Sequence, residues 1–210
     1  MTSPKNNNSN NNRVSISAGN RKMGAIPSVS LPPIITCPNC KECAKKCYAA
    51  KMCRIYPSVK KAYDNNLDIL RRNPVAFWTQ VKAAASMTRY FRFHVSGDII
   101  NRAYFENIMV ATAQALPATR FLAFTKNYKA VNDYLNDGNE IPENLKIIFS
   151  EWGDMEINNP HKLPTAAVIF KGQQPRPEWK ICGGNCAECA CQGVGCWEIK
   201  SGETIAFYEH

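Results

Sequence analysis

Chemistry in this sequence starts with its ten cysteines, all of which fall in two segments, residues 37–53 and 182–196 of the 210-residue chain. The first reads Cys37-Pro-Asn-Cys40-Lys-Glu-Cys43-Ala-Lys-Lys-Cys47, with Cys53 further on. Its C-x2-C-x2-C-x3-C spacing is that of bacterial ferredoxin runs, with Tyr48 where those carry proline. The second holds Cys182, Cys186, Cys189, Cys191 and Cys196 among glycines 183, 184, 193 and 195, which let a backbone wrap closely around a centre. Short loops bring several thiolates to one centre at little closure entropy. The N-terminus, Met-Thr-Ser-Pro and an Asn-rich run, lacks the charged-then-apolar order of a secretory leader, so a cytoplasmic location is expected. In that reducing compartment clustered thiols signal metal or redox chemistry rather than disulfides. The expected ligands are Cys37, Cys40, Cys43, Cys47, Cys182, Cys186, Cys189 and Cys196. Soft tetrahedral thiolate donors suit an iron–sulfur cluster, [4Fe–4S] foremost, and zinc as the alternative. A ferredoxin run can share its fourth cysteine with a different cluster, so the number of centres, and the roles of Cys53 and Cys191, stay open.

Charge adds a second theme. The formal net charge is +9. Four thiolates around a metal centre carry roughly −2, so part of this excess offsets the sites themselves. Around the first segment Lys41, Lys45, Lys46, Lys51, Arg54, Lys60, Lys61, Arg71 and Arg72 oppose only Glu42, Asp64 and Asp68. They read either as a nucleic-acid-binding face or as a solvated face balancing an anionic cluster. No stretch of eighteen apolar residues is present, so no membrane partner is expected. Phosphate-loop, dinucleotide and zincin motifs are also missing, which leaves ATPase and nicotinamide readings without support.

The elements that must position these residues alternate in type. A helix is expected over Ser58–Arg72. Asn73 caps a second one, opened by Pro74, with an apolar face of Phe77, Trp78, Val81, Ala84 and Ala85. Strands are expected at Tyr90–Val95, Arg120–Thr125, Leu145–Ser150 and Ala166–Phe170, with a short one at Thr204–Tyr208. Helices fall at Tyr104–Leu116 and Ala130–Leu135. This order predicts an α/β fold: a partial (β/α) barrel or an open parallel sheet with two cysteine-rich metal-binding segments. Residues 1–13 read as a disordered Asn-rich tail and residues 14–210 as one domain, opening with an extended lead-in over 14–36 and one edge strand. Ligands of parallel sheets bind at the carboxyl ends of strands. Three strands end in polar residues: His94-Val-Ser96-Gly97-Asp98, Thr125-Lys126-Asn127 and Ser150-Glu151-Trp152. His94, Asp98, Lys126 and Glu151 are the candidate catalytic groups, facing a small-molecule or nucleic-acid substrate.

Several of these motifs together resemble the phage "gene product 88" family: Gly19-Asn20-Arg21-Lys22-Met23, Thr36-Cys37-Pro38, Cys43-x3-Cys47-Tyr48-Ala49, Phe91 to Asp98, Phe124-Thr125-Lys126, and Cys186-x2-Cys189 to Cys196-Trp197. The likeness covers nearly everything after the Asn-rich tail and implies a phage or prophage origin, without an activity. The Cys43–Ala49 ending is also similar to phage proteins described as radical-S-adenosylmethionine-like. Ser96-Gly97-Asp98 is similar to the glycine-glycine-glutamate turn that holds the methionine amine in radical enzymes, with Ser and Asp in place of Gly and Glu. That resemblance implies S-adenosylmethionine as a cofactor held at Ser96, Gly97 and Asp98. The expectation is an iron–sulfur protein, radical-type or redox, with a zinc-stapled nucleic-acid- or protein-binding module as the alternative.

Overall fold

The computed structural model describes residues 12–153 and 155–209. Eight strands form one sheet in the order β1-β2-β3-β4-β5-β6-β8-β7. They are β1 (Ile16–Ser17), β2 (Ser28–Val29), β3 (Tyr90–Phe93), β4 (Arg120–Thr125), β5 (Leu145–Ser150), β6 (Thr165–Ile169), β7 (Lys180–Ile181) and β8 (Thr204–Tyr208). Only β1 runs antiparallel to its neighbour. The lead-in thus supplies two short strands, and β2 extends the parallel sheet beside β3. Strand order follows chain order up to β6, without the reversal that marks a doubly wound sheet.

The helices are α1 (Tyr48–Ile55), α2 (Pro57–Arg72), α3 (Pro74–Ala85), α4 (Arg102–Tyr104), α5 (Ala111–Ala115), α6 (Tyr128–Asn136) and α7 (Cys186–Gln192). A π-helical segment, Phe105–Val110, joins α4 to α5. Proline opens both α2 and α3, and Asn73 caps α3 by accepting from Ala76 N at 2.9 Å. The helix within the first cysteine segment and the one that carries Cys186 lie outside the expected elements, although Ala49, Met52 and Cys53 share one half-buried face of the former.

Alternation along the strands divides the interior into two cores. Phe91, Phe93, Phe121, Ala123, Leu145, Ile147 and Phe149 face one way and meet Phe77, Val81, Phe105, Met109 and Val131 from the helices. Leu122, Ile148, Ala166 and Ile205 face the other way and meet Met23, Ile26, Ala190, Cys196, Trp197 and Ile199. Helices α2 to α6 therefore pack on one side of the sheet, and α7 with the rest of the second cysteine segment covers the other, inner face.

β3 stops at Phe93, two residues short of expectation, because His94 adopts a left-handed backbone (φ 61°) that turns the chain. The expected tail lies outside the described residues except for Asn12 and Arg13. Their carbonyls accept from Gln80 Nε2 and Asn65 Nδ2, so these two are docked on α3 and α2. No described helix is long and apolar enough to cross a membrane.

Candidate functional site

The carboxyl ends of β3, β4 and β5 open into a cavity of 1280 Å³ whose lining includes residues of both cysteine segments. Cys37, Cys40, Cys43 and Cys47 stand on one wall, and Cys182, Cys186, Cys189 and Cys196 on another. His94, Ser96, Gly97, Asp98, Lys126 and Glu151 line the space between. All the site residues expected from the sequence therefore meet in one place, although the segments lie more than a hundred residues apart.

Polar contacts fasten the first segment to the strand ends. Asn39 Nδ2 donates to the Lys126 carbonyl at 2.5 Å. The Thr36 hydroxyl donates to the Pro32 carbonyl at 2.6 Å and packs on Gly97. A Cβ at Gly97 would lie 2.7 Å from Thr36 Oγ1 and 2.8 Å from Leu31 Cβ, and φ is +81°, so only glycine lets this turn close. Cys47 caps α1, its sulfur accepting from Ala50 N at 3.4 Å. Cys40 and Cys43 are 3.9 Å apart, sulfur to sulfur. Burial pushes the Cys37 thiol up to about 12, with the nearby Asp98 carboxylate, Cys40 and Cys47 adding to it. Burial and the neighbouring Cys43 raise Cys40 to about 11, while Lys126 opposes.

The second segment is packed as well as tethered. Fully buried Trp197 meets Tyr90 edge-on at 5.0 Å and donates its indole N–H to the Cys186 carbonyl at 3.1 Å. Tyr90 Oη reaches the Ala190 carbonyl at 3.0 Å, and Arg120 Nη2 reaches that of Trp197 at 2.9 Å. The Gly19–Gly24 stretch is a tight turn in which Asn20 Oδ1 accepts from Lys22 N and Met23 N. The Lys22 carbonyl takes the Cys186 N–H at 2.9 Å, so the turn props this segment from below. Gly184 N donates to the Cys182 sulfur at 3.4 Å. At Gly195 (φ +68°) a Cβ would lie 3.1 Å from the Cys189 sulfur. Burial, with Cys182, Cys186 and Cys189, lifts Cys196 to about 12 against the pull of Arg92.

Proximity thus groups eight thiols into two quartets. Cys53 sits near Cys47, Asp64 and Lys60 and does not line the cavity, and Cys191 is exposed. Neither quartet is drawn onto a common point: among the described residues, no three His, Cys, Asp or Glu side chains are grouped to hold a metal ion. The expected metal-binding segments are, as folded here, cysteine-bearing walls.

Between the walls, Asp98 is fully engaged. Its carboxylate accepts from Ile99 N (2.6 Å), Thr125 Oγ1 (2.5 Å) and Lys126 N (2.9 Å), clamping the end of β3 to that of β4. Burial raises its pKa against these bonds. His94 is the opposite case: buried, with no hydrogen-bond partner at either ring nitrogen. Burial, reinforced by Arg92, lowers its pKa to about 3, and the Ser96 carbonyl, outside bonding geometry, opposes only weakly. Imidazole is therefore neutral at any physiological pH. Burial raises Glu151 too, with Arg176 opposing.

Arg92 is the cavity-lining residue that periodicity should have exposed. It lies between Phe91 and Phe93, so it points away from the helix core. Its Nη1 is 3.9 Å from the Cys186 sulfur, its guanidinium carbon 4.8 Å above the Phe124 ring, and its Nε has no partner. The basic cluster near the first segment divides. Lys45, Lys46, Lys51 and Arg54 line the cavity. Lys60 and Arg72 are held by Asp64 and Asp68 on the outer surface of α2.

No curated protein and no solved structure matches the chain. A family model described as Gene product 88 matches residues 2–203, which spans both cysteine segments, the glycine turn and all three polar strand ends. The chain belongs to the Gene product 88 family of phage proteins.

Proposed function

We propose that this protein is an iron–sulfur protein whose two cysteine quartets flank a single reaction cavity, and that it performs redox or radical-type chemistry on a substrate held at the strand ends. One observation carries the reading: the eight cysteines chosen by spacing line the same cavity as the polar strand ends. The donor types, four soft thiols in each segment, suit such clusters. Backbone N–H groups already point at the Cys47 and Cys182 sulfurs, as hydrogen bonds do in tuning iron–sulfur sites. Gly195 leaves open the space beside Cys189 that a side chain would fill.

When bound, such a cluster supplies single electrons. The chain's own residues do the rest. Asp98 holds β3 and β4 in register at the cavity floor as a positioning group. Neutral His94 offers a donor and an acceptor to a bound molecule. Lys126, beside Cys40, supplies positive charge, and Glu151, with its raised pKa, is suited to carry a proton. If S-adenosylmethionine is the co-substrate, Gly97 lets its turn close on Thr36 and Leu31, and the unpartnered Ser96 hydroxyl is the free polar group of that turn.

One distance favours zinc at the first quartet. The 3.9 Å between the Cys40 and Cys43 sulfurs is close to the edge, about 3.8 Å, of a thiolate tetrahedron around one metal at 2.3 Å. Anaerobic purification separates the two readings. The proposal expects a brown protein absorbing broadly near roughly 400 nm, with iron and acid-labile sulfide. A colourless protein containing only stoichiometric zinc overturns it. Reductive cleavage of S-adenosylmethionine by the brown protein tests the radical form, and its absence leaves the redox form.

A further inference from the structure

The substrate class can be read from what the cavity leaves unsatisfied, granted that the cavity is the reaction chamber proposed above. Three side chains on its wall present buried polar atoms with no partner: both ring nitrogens of His94, Ser96 Oγ and Arg92 Nε. Buried unpaired polar atoms are costly and are retained where a ligand completes them. Two are donors and the histidine supplies both functions, a set that suits the oxygens and ring nitrogens of a polar molecule.

At the mouth the charge is positive. Arg21, Lys51 and Arg54 line the cavity, and no carboxylate among the described residues pairs with them. Of the three acids in the lining, Asp98 is bound by three donors, Glu209 is paired with Lys46, and Glu151 is raised by burial and lies in the field of Arg176. Clusters would add negative charge, roughly −2 each. The cations placed to offset them are Arg92, beside Cys186, and Lys126, beside Cys40. The mouth cations are left for a ligand. Among them stand flat aromatic faces, with Tyr48 55% and Tyr208 58% exposed and Trp152 half-buried, all lining the cavity. Cations interleaved with exposed rings are how proteins hold phosphates and stack bases together.

We propose that the cavity takes a phosphate-bearing nucleobase, either a free nucleotide or a nucleotide of a single strand, with phosphate on Lys51 and Arg54, the base against Tyr48 or Tyr208, and polar base edges toward His94, Ser96 and Arg92. The test is fluorescence anisotropy of the anaerobically purified chain with a fluorescein-labelled twelve-base oligothymidylate. Thymidine monophosphate, inorganic tripolyphosphate and the duplex form serve as competitors. Saturable single-strand binding that weakens as salt rises is expected. K51E/R54E should weaken it at least about tenfold, since both residues are exposed phosphate contacts. Tyr48→Ala combined with Tyr208→Ala should weaken oligonucleotide binding but not tripolyphosphate binding, and unchanged oligonucleotide binding would overturn the stacking. Competition by the mononucleotide at micromolar levels assigns the free nucleotide, and competition only by strands assigns the strand. No saturable binding of the oligonucleotide or, by titration calorimetry, of thymidine monophosphate, duplex preferred over single strand, tripolyphosphate competing as well as the nucleotide, or indifference to K51E/R54E would overturn the proposal. Iron measured on the same sample keeps the two ideas apart. Binding lost with iron present defeats only the substrate assignment, and binding retained without iron defeats only the cluster.

Discussion

Residues 37–53 and 182–196 carry five cysteines each, yet the chain secures them by opposite means. The first segment has no buried residue in its 3₁₀ turn or in α1 and is held by a few polar tethers, Asn39 to Lys126 and Thr36 against Gly97. The second is part of a core: Ala190, Cys196, Trp197 and Ile199 are buried under the inner face of the sheet. Of the eight thiols only Cys196 is buried and cannot move without the sheet; the other seven are half-buried. On this contrast the second segment belongs to the architecture through Cys196 and Trp197, and the first is the less packed partner.

The largest effect should come from Trp197→Ala. Removing a fully buried indole should cost about 3–5 kcal/mol in denaturant titration and lower the metal content of the second quartet before that of the first. A stable, fully loaded variant would break the contrast.

His94, on the floor between the quartets, should make stability depend on pH. Its folded pKa of about 3 lies below the unfolded 6.5, so below pH 6.5 the unfolded chain takes up a proton that the folded chain refuses. Stability should be full above pH 6.5 and fall as pH drops, by about 2 kcal/mol at pH 5. Asp98, raised in the fold, works in the opposite sense. The difference between wild type and His94→Asn, a residue that accepts positive φ, isolates the histidine contribution. Equal slopes for both proteins would mean that His94 is not held neutral.

Gly195→Ala should cost about 1–2 kcal/mol for its left-handed backbone and should selectively impair the second quartet, because the new methyl crowds the Cys189 sulfur. Gly97→Ala is the matching change beside the first segment. Smallest of all, Cys53→Ser and Cys191→Ser should leave iron content unchanged and stability within about 0.5 kcal/mol. A loss of metal in either would place a ninth thiol in a site.

Much of this architecture was legible because it is encoded locally. The bounds of β4 and β5 follow from short continuous apolar runs, the mark of strands buried on both faces, and Asn73-Pro74 marks a cap and a helix start. The polar strand ends announced the cavity because the carboxyl end of a parallel strand always faces the same rim. What escaped depends on contacts distant in sequence. In α1 the half-buried Ala49, Met52 and Cys53 do recur at helical spacing, but the element is short, buries no residue fully and overlaps a cysteine run that reads as a loop. Nothing near Cys186 says that it packs beneath β3, and the one pointer, Arg92 between two phenylalanines, sits some ninety residues away. The basic residues near the first segment could not be sorted into cavity-lining and outward-facing sets until α1 and α2 were seen to turn them in different directions.

Iron and acid-labile sulfide per chain, measured on anaerobically reconstituted wild type and on two variants, test the central claim most directly. One variant replaces Cys37, Cys40, Cys43 and Cys47 with serine, and the other replaces Cys182, Cys186, Cys189 and Cys196. Two four-iron clusters predict about eight irons in wild type and about four in the first variant, which should remain folded. The second variant should lose its own four irons and much of its stability. Wild type with zinc and no sulfide, or a first variant that keeps all its iron, would contradict the account.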